Sequence, residues 1–151
     1  MIHPTRFSLP DEEYLTLLGE AVYVFNSNVS FFVENLMHAG APDWYGLTDM
    51  MTGQLKDEGK KWLVNEEDVR ILELLCDLGN ERNRIIHSFP VTHDGRQELR
   101  TKVKAKDEER PNYQYQIDRE LLCSFIDRNQ ELSDELYKCR DRNTANAKLH
   151  L

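Results

Sequence analysis

Cysteine is scarce and poorly placed for chemistry: Cys76, Cys123 and Cys139 are the only three in 151 residues. An odd and widely spaced set excludes a paired zinc knuckle or a redox CxxC, and buried reduced thiols are the expectation. Long apolar runs are missing as well. No segment approaches the roughly 20 consecutive apolar residues that a membrane-crossing helix needs. The opening Met1-Ile2-His3-Pro4-Thr5-Arg6 lacks the basic-then-apolar layout of a secretory signal. The expected location is the cytoplasm, where the Asn28-Val29-Ser30 sequon never meets a glycosylating enzyme. There is also no surplus of positive charge. The formal net charge is -8, so nucleic-acid binding would have to rest on a local basic surface.

What is present is an ordinary globular composition, 40% hydrophobic and 30% charged, which excludes a disordered tail. A chain of this length suits one domain over 1-151 with a single core. Pro10 followed by Asp11-Glu12-Glu13 marks a helix start, with acids at the positive end of the backbone dipole. Leu15, Leu18, Val22, Phe25, Val29, Phe32, Val33 and Leu36 then fall at three- and four-residue steps, predicting a helix from Asp11 to His38. Ala39-Gly40-Ala41-Pro42 ends it. A weaker helix is predicted over Leu47 to Lys61, interrupted near Gly53 and Gly59.

Asn65 reads as the N-cap of a third helix whose first turn holds Glu66, Glu67 and Asp68 and whose spacing persists to Pro90. From Gly95 to Ile117 the pattern turns to alternation, which predicts a β-hairpin pairing Leu99–Ala105 with Tyr113–Ile117. Asp118 then caps a last helix through about Arg142, with Leu121, Leu122, Phe125, Ile126, Leu132, Leu136 and Tyr137 on its buried side. Residues 143-151 are expected to be loose. With no internal repeat or low-complexity tract, the expected fold is mainly α: an antiparallel bundle of four principal helices with a β-hairpin before the last.

The chemistry-bearing residues gather at the end of the third helix, in Glu81-Arg82-Asn83-Arg84-Ile85-Ile86-His87. Residues four apart share a helical face, so Asn83 lies one turn below His87, where it can orient the imidazole. Arg82 is five positions away, about 140° around the helix, within reach of the same phosphate-sized space through its long side chain. An imidazole can shuttle a proton near neutral pH, and a guanidinium can stabilise charge developing on a phosphoryl oxygen. These are groups suited to phosphodiester cleavage.

This segment resembles the signature of the HEPN superfamily, an arginine and a histidine separated by four to six residues, commonly with a polar residue directly after the arginine. Arg82-Asn83-Arg84-Ile85-Ile86-His87 has the short spacing and the polar position. The resemblance implies a helical bundle that forms a homodimer with two motifs facing each other. It implies RNA cleavage without a metal or other cofactor, in which the ribose 2′-hydroxyl attacks the neighbouring phosphate and leaves a 2′,3′-cyclic phosphate. Arg82 would stabilise the phosphate, His87 would handle a proton or bind the phosphate, and Asn83 would position them. Family habit further implies a toxin or phage-defence effector, partnered by an antitoxin or regulatory protein. Where related toxins silenced on tyrosine carry that residue two positions after the histidine, this chain has Phe89, so that regulation is not expected.

A second basic feature lies in the alternating stretch. Arg100, Lys102, Lys104 and Lys106 occupy every second position, which together with Arg84 offers a surface for an RNA backbone. Tyr113 and Tyr115, also two apart, are candidates for stacking bases. Bland alternatives stand beside each feature. Arg82, Arg84 and His87 would equally complement the negative end of their helix and pair with Glu81 or Asp77. The lysines would equally guard an edge strand against aggregation. The cluster would then belong to a non-catalytic helical module that binds a protein or a nucleotide. A metal at His87 and His93 lacks a completing carboxylate or cysteine nearby.

Overall fold

A computed structural model of the chain describes residues 5-103 and 109-149, the side chains of 146-149 excepted. It is mainly helical, with α1 (Glu12–His38), α2 (Trp44–Thr48), α3 (Thr52–Trp62), α4 (Glu66–Ile86) and α5 (Arg119–Leu149). Between α4 and α5 lies a small antiparallel sheet of β1 (Phe89–His93), β2 (Arg96–Arg100) and β3 (Gln116–Ile117), in that spatial order. The expected mainly α bundle with strands before the last helix is the fold observed. None of the described helices is long and apolar enough to cross a membrane.

The helix expected from Asp11 begins at Glu12, and Asp11 is its cap, accepting from the Tyr14 amide at 3.0 Å. The core side of α1 is rotated from the expected stripe. Tyr14, Ala21, Asn28 and Asn35, seven residues apart, are buried with Phe25, Phe32, Val33 and Leu36, while Leu15, Leu18, Val22 and Val29 lie half-buried on the flank. Polar residues occupy core positions because they find partners there. Asn35 does so only through Nδ2, on the Phe31 carbonyl, and its Oδ1 is buried without one among the described residues. Asn28 donates through Nδ2 to the Asn129 carbonyl at 2.8 Å and to its Oδ1 at 3.1 Å, while Asn129 Nδ2 donates to the Phe125 carbonyl. These amides join α1 to α5, the most extensively packed pair of helices.

The single helix expected over Leu47 to Lys61 is two, and the break falls at 49-51 rather than at the glycines. Asp43 caps α2 by accepting from the Gly46 amide, and Gln54 reaches back to the Met51 amide to start α3. Gly59 continues α3 without interruption because the core needs its small size: a Cβ there would come within 2.3 Å of Leu72 Cδ2. Asn65 caps α4 as expected, but that helix stops at Ile86 and Pro90 lies inside β1. β1 is an edge strand, where a residue without an N–H costs the ladder least.

The sheet departs furthest from expectation. Its hairpin joins β1 to β2 across Asp94-Gly95, both with positive φ (48° and 73°), the backbone signs of a type I′ turn. The pairing expected between the later segments is kept at Leu99↔Ile117 and Arg100↔Gln116, with the Thr101 amide donating to the Tyr115 carbonyl at 3.0 Å. Lys104, Ala105 and Lys106, assigned to the strand from the sequence, lie outside the described residues. The last helix runs through Leu149, so most of the stretch expected to be loose is helical. Of the three thiols only Cys139 is buried, whereas Cys76 is half-buried and Cys123 exposed. Burial and the nearby Asp68 push Cys139 up to about 12, which keeps it protonated.

Tyr14 ties the sheet to the bundle. Its hydroxyl donates to the Ile117 carbonyl at 2.6 Å and accepts from the Leu99 amide at 3.0 Å, bridging β2 and β3 at their paired residues. Removing the oxygen leaves a buried donor and acceptor unmet, so Tyr14→Phe is expected to cost about 1–3 kcal/mol in urea unfolding. Burial also holds the Tyr14 phenol above its ordinary pKa. The unfolded chain ionises first, so this contribution to stability is intact below about pH 10 and is lost as the pH rises further. Urea midpoints measured from pH 9 to 11 should fall more steeply for the wild type than for Tyr14→Phe; parallel curves would contradict the bridge.

Candidate functional site

The last turn of α4 is fixed in rotation by Leu78 and Ile85, both buried, seven residues apart. That anchoring leaves Asn83, Arg84 and His87 exposed and Arg82 half-buried on the flank. Arg82 lays its guanidinium over the Phe25 ring, 5.2 Å from the centroid, and its Nε is buried without a hydrogen-bond partner. Among the described residues no carboxylate pairs with it. Glu81, the neighbour that would have neutralised it, instead binds Arg128 of α5 at 2.5 Å. Among the described residues, then, the ion-pair alternative for Arg82 is not adopted.

His87 is the C-cap of α4. Its backbone amide donates to the Asn83 carbonyl at 3.0 Å, which closes the final turn. The side chains of Asn83 and His87 make no hydrogen bond among the described residues, so the backbone alone joins them. Both side chains sit on a ridge between two cavities. One, of about 770 Å³, lies toward α1 and the start of α3 and brings Arg82, Asn83 and His87 together beside Thr52, Gln54 and Asn80. The three residues that the sequence groups as catalytic therefore share one lining.

The other cavity, of about 350 Å³, has Asn83, Arg84 and His87 on one wall. Thr101, Lys102 and Val103 face them, and Arg110, Tyr113 and Tyr115 complete the described lining. No Asp or Glu is among these residues, although the chain as a whole carries a charge of -8. Here is a local basic surface of the kind that the overall charge demands. Arg84 donates to the Tyr115 hydroxyl at 3.3 Å, and Arg110 lies 4.3 Å from the centroid of the Tyr113 ring. The two tyrosine rings are 5.9 Å apart at an interplanar angle of 41°.

Compared with known proteins, the chain matches no family model, no curated protein and no solved structure. The groups themselves set what this site can do. An exposed imidazole, the Arg82 guanidinium without an ion-pair partner among the described residues, and a basic aromatic hollow suit an anion attached to a flat ring. Among the described residues no three His, Cys, Asp or Glu side chains come together as a metal site. Two of the expected RNA contacts, Arg84 and Lys102, line the basic cavity. Arg100 does not: it is half-buried and donates to Gln116 Oε1 at 3.3 and 3.4 Å. Lys104 and Lys106 fall outside the described residues, so the four-cation stripe is seen only at its first two members.

Arg110 was not singled out from the sequence, yet a signal for it exists. Arg110-Pro111-Asn112-Tyr113 is closed by the Tyr113 amide on the Arg110 carbonyl at 3.1 Å, with Asn112 at φ 62°. Proline then a residue tolerant of positive φ is the pattern of a type II turn, which brings the flanking side chains together. The wall opposite α4 depends on Thr101, which is buried and accepts the Tyr115 amide on Oγ1 at 3.0 Å. Thr101→Val keeps the shape and removes the acceptor. It should cost about 1–3 kcal/mol and raise the hydrogen-exchange rate of the Tyr115 amide selectively. Unchanged protection at Tyr115 would show that this bond does not hold the wall.

Proposed function

We propose that this chain is a metal-independent endoribonuclease of HEPN type, acting as a homodimer in which two copies of the Arg82/Asn83/His87 cluster face one RNA strand. The observation that carries the reading is that Arg82 and His87 line one solvent-reaching cavity while Arg82 has no carboxylate partner among the described residues. A guanidinium with no ion-paired carboxylate among the described residues, beside an exposed imidazole, suits a phosphodiester; Asp57 on the same lining is paired with Lys60. In the reaction the ribose 2′-oxygen attacks phosphorus as its proton leaves, and the 5′-oxygen departs as it gains a proton. The products carry a 2′,3′-cyclic phosphate and a 5′-hydroxyl. His87 serves one of these proton transfers, and Arg82 offsets the charge that builds on the phosphoryl oxygens. Ile86 and Met51, exposed and apolar near the cluster, are side chains that a second copy would cover.

A second reading, a nucleotide-binding module without catalysis, is favoured by one observation. No side chain among the described residues holds the His87 ring in a fixed tautomer, as catalytic imidazoles commonly require. The two readings part on product chemistry. In chelator-containing buffer the wild type should cut RNA to cyclic-phosphate ends, and His87→Ala and Arg82→Ala should each slow cleavage by at least about 100-fold while the dimer sediments unchanged. Cleavage by both variants at the wild-type rate would reject the assignment. Stable RNA binding with no cyclic-phosphate product from the wild type would favour the binding module. A toxin or defence role, with an antitoxin or regulatory protein as partner, extends the same proposal to the cell, where growth arrest on expression tests it.

A further inference from the structure

The basic aromatic cavity adds something that neither Arg82 nor His87 requires. Cleavage of a phosphodiester needs a proton shuttle and charge stabilisation, whereas paired tyrosine rings beside cations describe a means of holding a base. Its volume of about 350 Å³ lies at the low end of the roughly 300–1,000 Å³ usual for small-ligand sites. Such a hollow takes one nucleotide and is far too small to admit a base-paired duplex.

We infer that this cavity seats a single unpaired nucleotide next to the scissile phosphate, its base against Tyr113 and Tyr115 and its phosphate toward Arg84 and Lys102. The ring geometry sets the seat. At 41° to one another the rings form an open wedge rather than a closed stack, so one base can lie against an aromatic face without prying the pair apart. Arg84 is anchored at the Tyr115 hydroxyl by one nitrogen, which leaves its remaining N–H groups for a phosphate. Lys102 is exposed on the opposite wall, supplying charge from the far side. Asn83 and His87 belong to both cavities, so a nucleotide held in this one lies directly beside the cluster in the other.

This inference rests on the ribonuclease reading for the identity of the polymer, and it adds the feature selected: a base free of its complement. Duplex RNA buries its bases in the stack and cannot present one to the wedge unless it opens. Preference for single strands or loops follows from the shape of the cavity, without base-edge hydrogen bonds to impose a sequence.

Fluorescence anisotropy with a labelled hexaribonucleotide, 2′-O-methylated at every ribose, reads binding apart from cleavage because the attacking hydroxyl is blocked. The wild type should bind it, and the same strand annealed to its complement should compete at least about tenfold less well. Tyr113→Leu and Tyr115→Leu should each weaken binding by about tenfold through loss of the ring. Lys102→Ala should lower the dependence of log affinity on log salt by about 0.7. Circular dichroism on each variant separates lost binding from lost fold, and Tyr113, already exposed, can be truncated without opening the core. Equal competition by duplex, or wild-type affinity in folded variants of both tyrosines, overturns the seat even if the enzyme cuts RNA. Tyrosine-dependent single-strand binding with no cleavage of the unmodified strand supports the seat and removes the ribonuclease reading.

Discussion

The hydroxyl of Tyr14 is the point on which the placement of the site depends. A three-stranded sheet whose last strand is two residues long has too few ladder bonds to hold itself. Here a side chain from α1 enters between β2 and β3, accepting a hydrogen bond from the Leu99 amide and donating one to the Ile117 carbonyl. The sheet is thereby fastened to the longest-packed face of the bundle. One residue pair further along the same register, Thr101 holds the Tyr115 backbone, and Tyr115 in turn meets Arg84 of α4. A single buried phenol thus sets the distance between the end of α4 and the aromatic wall opposite. A second fastening runs along the outside of the same junction: Gln116 links Arg100 to Glu98, and Arg119 reaches Glu98, Glu13 and Asp11.

The electrostatic arrangement is as economical as the packing. Acidic side chains outnumber basic ones 27 to 19, yet the basic cavity has none in its described lining. Acids at both ends of α4 are held by arginines of α5: Glu81 by Arg128, and Asp68 and Glu67 by Arg142. Among the described residues Arg82 meets no carboxylate and lies instead over the face of Phe25, a contact that steadies a guanidinium without removing its charge. The cluster therefore keeps its positive charge by geometry, in a protein whose far field repels polyanions. Approach of a nucleic acid would be governed by short-range fit, because long-range steering has the wrong sign.

Helix identity was legible because apolar spacing and caps agree at Asp11, Asn65 and Asp118, each of which accepts a backbone amide near the start of a helix. What periodicity could not show was which side of α1 faces inward. Tyr14, Asn28 and Asn35 are polar, and their burial is explained only by partners remote in sequence or by a carbonyl four residues back. The hairpin at Asp94-Gly95 carried an explicit turn signal, but the helical spacing before it appeared to run on to Pro90 and hid the first strand. Of the site, Arg82, Asn83 and His87 could be grouped from spacing alone. That Asn83 and His87 form a ridge shared by two cavities could not, since one wall comes from a turn more than 20 residues later in the chain. Arg100 shows a similar limit: alternation gives the face of a strand, whereas its half-burial and its bonds to Gln116 depend on a strand later in the chain.

The amide pair between the two longest helices has a mechanical consequence. Asn28 and Asn129 mesh at one height along α1 and α5, with no equivalent amide one turn above or below on α5 to receive a displaced partner. Sliding either helix by one turn, about 5.4 Å, would leave dry amides facing hydrocarbon at about 1–3 kcal/mol apiece. The pair works as a dowel, permitting the helices to part like a hinge but forbidding them to shear.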